Sequence, residues 1–188
     1  MKINEVNSIS LAGSLGGNLT ENKFWAFTEL SKIKNNFDTI YILGSWYGNA
    51  GLMLSMDPRF EFNEIINVEK NKNMLKISNQ LAKLQKDSRI KSMHKDANQL
   101  NYKRLDSDGL VVNFSCTNIS GNDWFDNIPA DTMMLLSGRN NDPGAVHKFN
   151  SLEEFSSTYP LTKILFSGQQ TFEDPETEYD AYLVIGIK

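Results

Sequence analysis

The 188-residue sequence predicts a three-layer α/β sandwich: a mostly parallel seven-stranded sheet, helices on both faces and an antiparallel closing strand. Three observations carry that expectation. Short β-branched and aromatic runs alternate with segments of helical periodicity. The first run ends in a glycine-rich turn, and the next in an acid. The last two runs flank a short acidic turn and can pair as a hairpin.

In chain order, Thr20 has N-cap chemistry ahead of a helix over 21–35, with Phe24, Trp25, Phe27, Leu30 and Ile33 apolar. Residues 39–43 (TIYIL) read as a buried strand, Asn49 to Met56 as a short helix and 64–68 (EIINV) as a second strand. From Asn71 to Gln85, Met74, Ile77, Leu81 and Leu84 share one helical face. Further strands are expected at 90–94, at 109–114 (GLVVNF) after the polar LDSD turn, and at 132–137 (TMMLLS). Ser151 and Glu154 have capping-box spacing ahead of a helix through Phe155. Strands at 162–167 and 180–187 close the chain around Glu173, Asp174, Glu176, Glu178 and Asp180.

This length predicts one domain over residues 21–188, preceded by an N-terminal segment or lid at 1–20 that contains Gly13-Ser14-Leu15-Gly16-Gly17. One cysteine, Cys116, excludes an internal disulfide. No apolar run approaches the ~20 residues that span a bilayer, and the N-terminus has no signal core, so a cytoplasmic, non-membrane protein is expected. The net charge of −4 hides an asymmetry: residues 70–95 carry eight Lys or Arg against one acid, and residues 120–188 carry eleven acids against four bases. The basic stretch reads as a solvated helix face before it reads as a nucleic-acid footprint. His94, His147 and Cys116 are too far apart for metal-ligand spacing, so no metal is expected.

In a parallel sheet of this kind, ligands sit beyond the carboxyl ends of the strands, beside the first strand. The turn there runs Gly44-Ser45-Trp46-Tyr47-Gly48-Asn49-Ala50-Gly51. It lacks the Lys-Ser/Thr pair of a phosphate loop, and Trp46 stands where a dinucleotide fingerprint needs glycine. Either it approaches a ligand without a diphosphate, or it is a structural glycine turn. Glu69, at the end of the second strand, can accept both hydroxyls of a ribose or act as a helix N-terminal acid. Asp96, at the end of the third, can accept from an adenine amino group or cap the next segment. Together these three strand ends outline an adenosine pocket.

On these residues the sequence resembles the class I S-adenosylmethionine-dependent methyltransferases, and among them small phage-type or bacterial members, over residues 20–188. Gly44 to Gly51, including Ser45, Trp46, Tyr47 and Gly48, matches the glycine loop, Glu69 the ribose acid and Asp96-Ala97 the adenine-edge motif. Asn113-Phe114-Ser115-Cys116 occupies the place of the motif after strand four. The resemblance implies a Rossmann-like fold, S-adenosylmethionine as cofactor and a methyl acceptor facing strand four. Two positions depart from the family: Ile42 replaces the acid before the first glycine, and Trp46 the middle glycine, where it can pack on the sulfonium.

Methyl transfer from a sulfonium needs in-line positioning, with a base only for a protonated nucleophile. The candidate catalytic residues are Asn113, which can also orient the cofactor, Ser115, and His147 as base. Phe114-Ser115 in place of two prolines does not support methylation of a nucleobase amino group, and Cys116 lacks the proline partner of a C5-pyrimidine nucleophile. Substrate choice is expected to rest on the first 20 residues and the 115–127 and 138–150 loops. The leading expectation is methyl transfer to a small-molecule or protein acceptor, with a homo-oligomer left open. The alternatives are an RNA or DNA methyltransferase and a catalytically inactive, cofactor-binding partner subunit.

Overall fold

The computed structural model describes residues 14–102, 105, 107–142, 144–173 and 178–188. Most of the predicted N-terminal segment, and Asp174 and Glu176 of the acidic turn, lie outside them. The described elements are α1 (Gly17–Ile33), β1 (Asn36–Leu43), α2 (Asn49–Met56), β2 (Glu61–Glu69), α3 (Lys72–Gln85), β3 (Ile90–His94), a 3-10 turn (Ala97–Gln99), β4 (Leu110–Asn113), α4 (Asp123–Asp126), β5 (Met133–Arg139), α5 (Leu152–Thr158), β6 (Lys163–Glu173) and β7 (Glu178–Ile187).

One seven-stranded sheet runs in the order β3-β2-β1-β4-β5-β7-β6, and β7 alone is antiparallel to its neighbours. The predicted architecture therefore holds. Register levels the strand ends: Leu43 of β1 pairs with Val68 of β2 and with Asn113 of β4, which pairs with Leu136 of β5. The chain reverses its winding between β1 and β4, so the loops after β1, β2, β4 and β5 share one rim. Each sheet face carries its own apolar layer: Tyr41, Val111, Trp124 and Phe155 on one side, Phe27, Ile40, Leu54 and Val112 on the other.

Three sequence expectations need correction. The first helix starts at Gly17, not after Thr20, whose hydroxyl donates back to the Leu15 carbonyl at 3.1 Å instead of capping. Its inward face is Asn18, Asn22, Ala26, Phe27 and Leu30, whereas Phe24 is 55% exposed. That face is polar in its first turns and apolar only toward its end. In α3 the buried residues are Leu75, Ile77, Ser78 and Ala82, and Leu84 is 79% exposed. Small side chains let this helix lie close to the sheet, with the Ser78 hydroxyl 3.4 Å from that of Ser92.

Other elements agree closely with the sequence. The helix at Asn49–Met56 has the predicted limits. Ser151 Oγ accepts from the Glu154 N–H at 3.2 Å, while Glu154 Oε2 accepts from the Asn150 N–H at 2.8 Å, a near capping box. Among the described residues no helix is long and apolar enough to cross a membrane.

Candidate functional site

The turn after β1 is held by backbone. The Ser45 N–H donates to the Val68 carbonyl at 3.0 Å, and the Gly48 N–H to the Ser45 carbonyl at 2.8 Å. Gly44 has φ +55°, and a Cβ there would stand 2.8 Å from the Ser115 Cβ. Trp46 has φ +52°, so it takes the left-handed conformation that glycine adopts freely. The loop keeps the path of a glycine loop while carrying an indole that is 41% exposed.

Glu69 is buried at the end of β2. Its Oε2 accepts from the Trp46 N–H at 2.9 Å and its Oε1 from the Asn71 N–H at 2.7 Å. Each oxygen keeps a further lone pair. Asp96 Oδ1 accepts from the Asn98 N–H at 3.0 Å and caps the 3-10 turn. Glu69 and Asp96, with Gly44, Trp46, Ala97 and Met74, line one cavity of about 220 Å³. Both acids thus brace backbone and face a cavity.

A second cavity adjoins it, with Gly44, Trp46, Ser115 and Asn118 in both walls. Its remaining wall comes from α1 (Asn22, Lys23), α2 (Asn49) and the end of β5 (Ser137, Gly138, Arg139), together with Phe114 and Asp142. Buried polar atoms in this wall lack partners among the described residues: Ser45 Oγ, Asn49 Oδ1 and Asn22 Oδ1. The other ends of those amides are used, Asn49 Nδ2 donating to Ser14 Oγ at 2.7 Å and Asn22 Nδ2 to Ser137 Oγ at 3.2 Å. Buried polar groups left open in a cavity wall mark places where a ligand completes the hydrogen bonding.

The charged groups of this wall are Lys23, Arg139 and Asp142. Burial, helped by the nearby Arg139 guanidinium, lowers the Lys23 amine to about 8. Burial pushes the Asp142 carboxyl up, but hydrogen bonds from Arg139 and Thr117 outweigh it, and the group stays below the usual aspartate range.

Of the residues singled out in the sequence, Gly44, Ser45, Trp46, Glu69, Asp96, Ala97 and Ser115 stand in these walls. Tyr47 packs in the core, and Gly48 backs onto the Ser78 hydroxyl and Asn67. Asn113 is fully buried, and its Oδ1 accepts from the Ser115 N–H at 2.7 Å, so it holds the turn after β4 from behind. Ser115 carries that turn to the loop, its hydroxyl donating to the Gly44 carbonyl at 2.9 Å. His147 lies outside both walls: its ring stacks on Phe149 with centroids 6.5 Å apart, and its buried Nε2 has no hydrogen-bond partner among the described residues. His94 is exposed, with Nε2 2.9 Å from the Lys70 carbonyl. The Cys116 thiol is buried, donates to the Asn113 carbonyl at 3.3 Å and is pushed far above the thiol range by burial. Sequence reasoning missed Asn22 and Lys23, while Arg139 and Asp142 fall in the 138–150 loop expected to set substrate choice. The available signal was the spacing of Asn18 and Asn22, four apart on the helix face that turns inward.

No protein-family model matches the chain, and no curated protein matches it by sequence. Solved structures match its fold. The YcgJ protein of Bacillus subtilis superposes with a TM-score of 0.68 at 14% identity, over 88% of this chain and 98% of that one. The N-methyltransferase NodS of Bradyrhizobium japonicum WM9, solved with S-adenosyl-l-homocysteine, gives 0.68 at 10% identity, over 91% and 88%. TrmK of M. capricolum, solved with its cofactor product S-adenosyl-homocysteine, gives 0.60 at 11% identity, over 86% and 67%. At these identities the likeness is one of fold, and the fold of this chain is that of the class I S-adenosylmethionine-dependent methyltransferases.

Proposed function

We propose that the chain binds S-adenosylmethionine across the two adjoining cavities and transfers its methyl group to a small-molecule or protein acceptor. The observation that carries this reading is the junction of the cavities at Gly44, Trp46 and Ser115, with Glu69 and Asp96 on one side and open buried polar atoms on the other. The residues fit the group. Glu69 has lone pairs free for two ribose hydroxyls, and Asp96 has an oxygen free for an adenine amino group. Ser45 Oγ and Asn49 Oδ1 offer buried partners to the amino-acid tail. The cofactor-bound forms of NodS and TrmK, on the same fold, support the assignment.

When bound, S-adenosylmethionine supplies an electrophilic methyl carbon on a sulfonium. The protein's own contribution is positioning and exclusion of water. The Ser115 hydroxyl ties the β4 turn to the β1 loop, so the two walls keep one spacing. Trp46 stands in the walls of both cavities, and its indole is of a kind suited to a sulfonium. The acceptor enters beside α1, between Lys23, Phe114 and Asp142. The basic stretch 70–95 lies on α3 and β3 at one edge of the sheet, while α1 packs on β5, β6 and β7 toward the other. That separation supports a small or protein acceptor over RNA or DNA.

Calorimetric titration with S-adenosylhomocysteine tests the reading. Micromolar binding is expected, and absence of heat with correctly folded protein overturns it. Transfer of a labelled methyl group to candidate acceptors then separates an enzyme from a binding-only subunit. The second outcome is favoured by one observation, the inward engagement of Asn113 with its own turn.

A further inference from the structure

The acceptor cavity carries two cations against one anion among the described residues. Arg139 Nη2 lies 3.0 Å from Asp142 Oδ1, and its guanidinium stacks 5.3 Å from the Tyr179 ring centroid. Asp142 is fully engaged: Oδ2 accepts from the Thr117 hydroxyl at 2.8 Å and Oδ1 also from the Gly144 N–H at 3.2 Å. Lys23 has no carboxylate at ion-pair distance among the described residues. Its Nζ donates to the Leu19 carbonyl of its own helix at 2.8 Å and stands 5.7 Å over the Phe114 ring. A largely buried ammonium beside a second cation, with only a carbonyl and a ring to face, is a standing cost that an incoming anion removes.

Two roles suit such an amine, proton acceptor or anion holder, and its charge decides between them. With the amine at about 8, ammonium outnumbers free amine by about ten to one at pH 7. The side chain is therefore mainly a cation in the working protein. A sulfonium in the same site adds further positive charge, which disfavours a cationic acceptor by simple Coulomb repulsion.

Resting on the methyl-transfer reading above, we propose that the acceptor is a carboxylate-bearing molecule whose anionic group is held between Lys23 and Arg139. Lys23 supplies a single charge on a flexible stem, and Arg139 the planar donors it does not spend on Asp142. Asn22 Oδ1, one position along α1 and open in the same wall, is placed to accept a hydrogen bond from a neighbouring donor on that molecule. The two residues are specificity-determining, and no proton transfer is assigned to them.

The test uses the full chain with isotope-labelled lysine, saturated with S-adenosylhomocysteine, and reads the titration of the Lys23 amine by NMR. The signal is assigned by its loss in Lys23→Met. Acetate is the probe and acetamide its neutral counterpart, at constant ionic strength. Acetate is expected to raise the Lys23 midpoint by about one unit, a tenfold gain in proton affinity, and acetamide to leave it unchanged. Arg139→Gln is expected to weaken the response to acetate. A midpoint indifferent to acetate, or moved equally by acetamide, overturns the proposal. So does a midpoint that rises with S-adenosylhomocysteine but not with 5′-methylthioadenosine and then ignores acetate, because the carboxylate held is then the cofactor's own. Calorimetry keeps the two claims apart: no binding of S-adenosylhomocysteine sinks the methyl-transfer reading, whereas firm binding with an acetate-blind Lys23 sinks the clamp alone.

Discussion

The Trp46 N–H donates to Glu69 Oε2 at 2.9 Å, so the acid at the end of β2 also holds the loop after β1 in its left-handed turn. One carboxylate thereby shapes two walls of the cavity it lines. Glu69→Ala is expected to weaken S-adenosylhomocysteine binding by a hundredfold or thereabouts, about 2–3 kcal/mol for lost charge-assisted bonds, and to lower the melting temperature. Glu69→Gln, which keeps one acceptor oxygen, should fall between the two. Calorimetry beside thermal unfolding checks both effects, and unchanged affinity in Glu69→Ala would remove this cavity from the site.

Gly44 tolerates no side chain. Its φ of +55° and the 2.8 Å approach of a Cβ to the Ser115 Cβ combine strain with a clash. Gly44→Ala is expected to lose about 1–3 kcal/mol of stability in urea unfolding. Ser115→Gly removes the clash but also the hydroxyl bond to the Gly44 carbonyl, so the comparison is within that background, where adding Gly44→Ala should cost less than it does in the parent. An equal cost of Gly44→Ala in the parent and in Ser115→Gly would show that Ser115 is not the obstacle.

Lys23 makes stability depend on pH in a predictable direction. Its amine titrates near 8 in the folded chain and near 10.5 in the unfolded one, so between those values the unfolded chain binds more protons. Stability from this group therefore rises with pH across that window, and below it the buried ammonium costs stability. Lys23→Met is expected to be more stable than the parent at pH 7, by about 1–3 kcal/mol, with the advantage shrinking as pH approaches 10. Denaturant unfolding at several pH values reads this directly, and a constant difference across the series contradicts it.

Cys116 is sealed beneath the β4 turn with its thiol held neutral by burial. Iodoacetamide is expected to leave it unmodified in the folded chain and to label it on unfolding. Cys116→Ala should retain S-adenosylhomocysteine affinity while losing about 1 kcal/mol of stability. Rapid labelling of the folded chain would return the thiol to consideration as a reactive group.

Asn113 supports the turn through its 2.7 Å bond from the Ser115 N–H. Asn113→Ala is expected to cost about 1–3 kcal/mol of unfolding free energy by leaving that N–H unpaired. Affinity for S-adenosylhomocysteine should fall only modestly. Loss of turnover at full stability would instead give Asn113 a direct part in the reaction.

Much of this protein was legible in its sequence, for local reasons. A β-branched run ending in glycine, such as 39–43 before Gly44, specifies a buried strand and the turn beyond it. Glu69 and Asp96 could be placed because Glu69 closes β2 and Asp96 lies two residues past β3, and strand ends in a parallel sheet lie on one rim. Helix phase was harder. The inward face of α1 begins with Asn18 and Asn22, of which Asn22 meets a cavity, and α3 turns Ser78 and Ala82 inward because small side chains permit close packing. Hydrophobic periodicity favours the largest apolar residues, so it found Phe27, Leu30 and Ile77 but missed the polar and small residues beside them.

The second cavity draws on the predicted 115–127 and 138–150 loops, but which side chains meet there was decided by tertiary structure. Asn22 meets Ser137 across 115 residues of chain, and Lys23 comes to face Arg139 and Asp142 only when α1 folds over the end of β5. No local spacing encodes such a meeting. The sequence by itself determined the order of strands and helices and the acids at the strand ends, since propensity and period act between near neighbours. Which charges share a cavity, and so which lysine stands among buried neighbours with no carboxylate at ion-pair distance among the described residues, followed from packing between distant segments, where burial sets the energy of a charge.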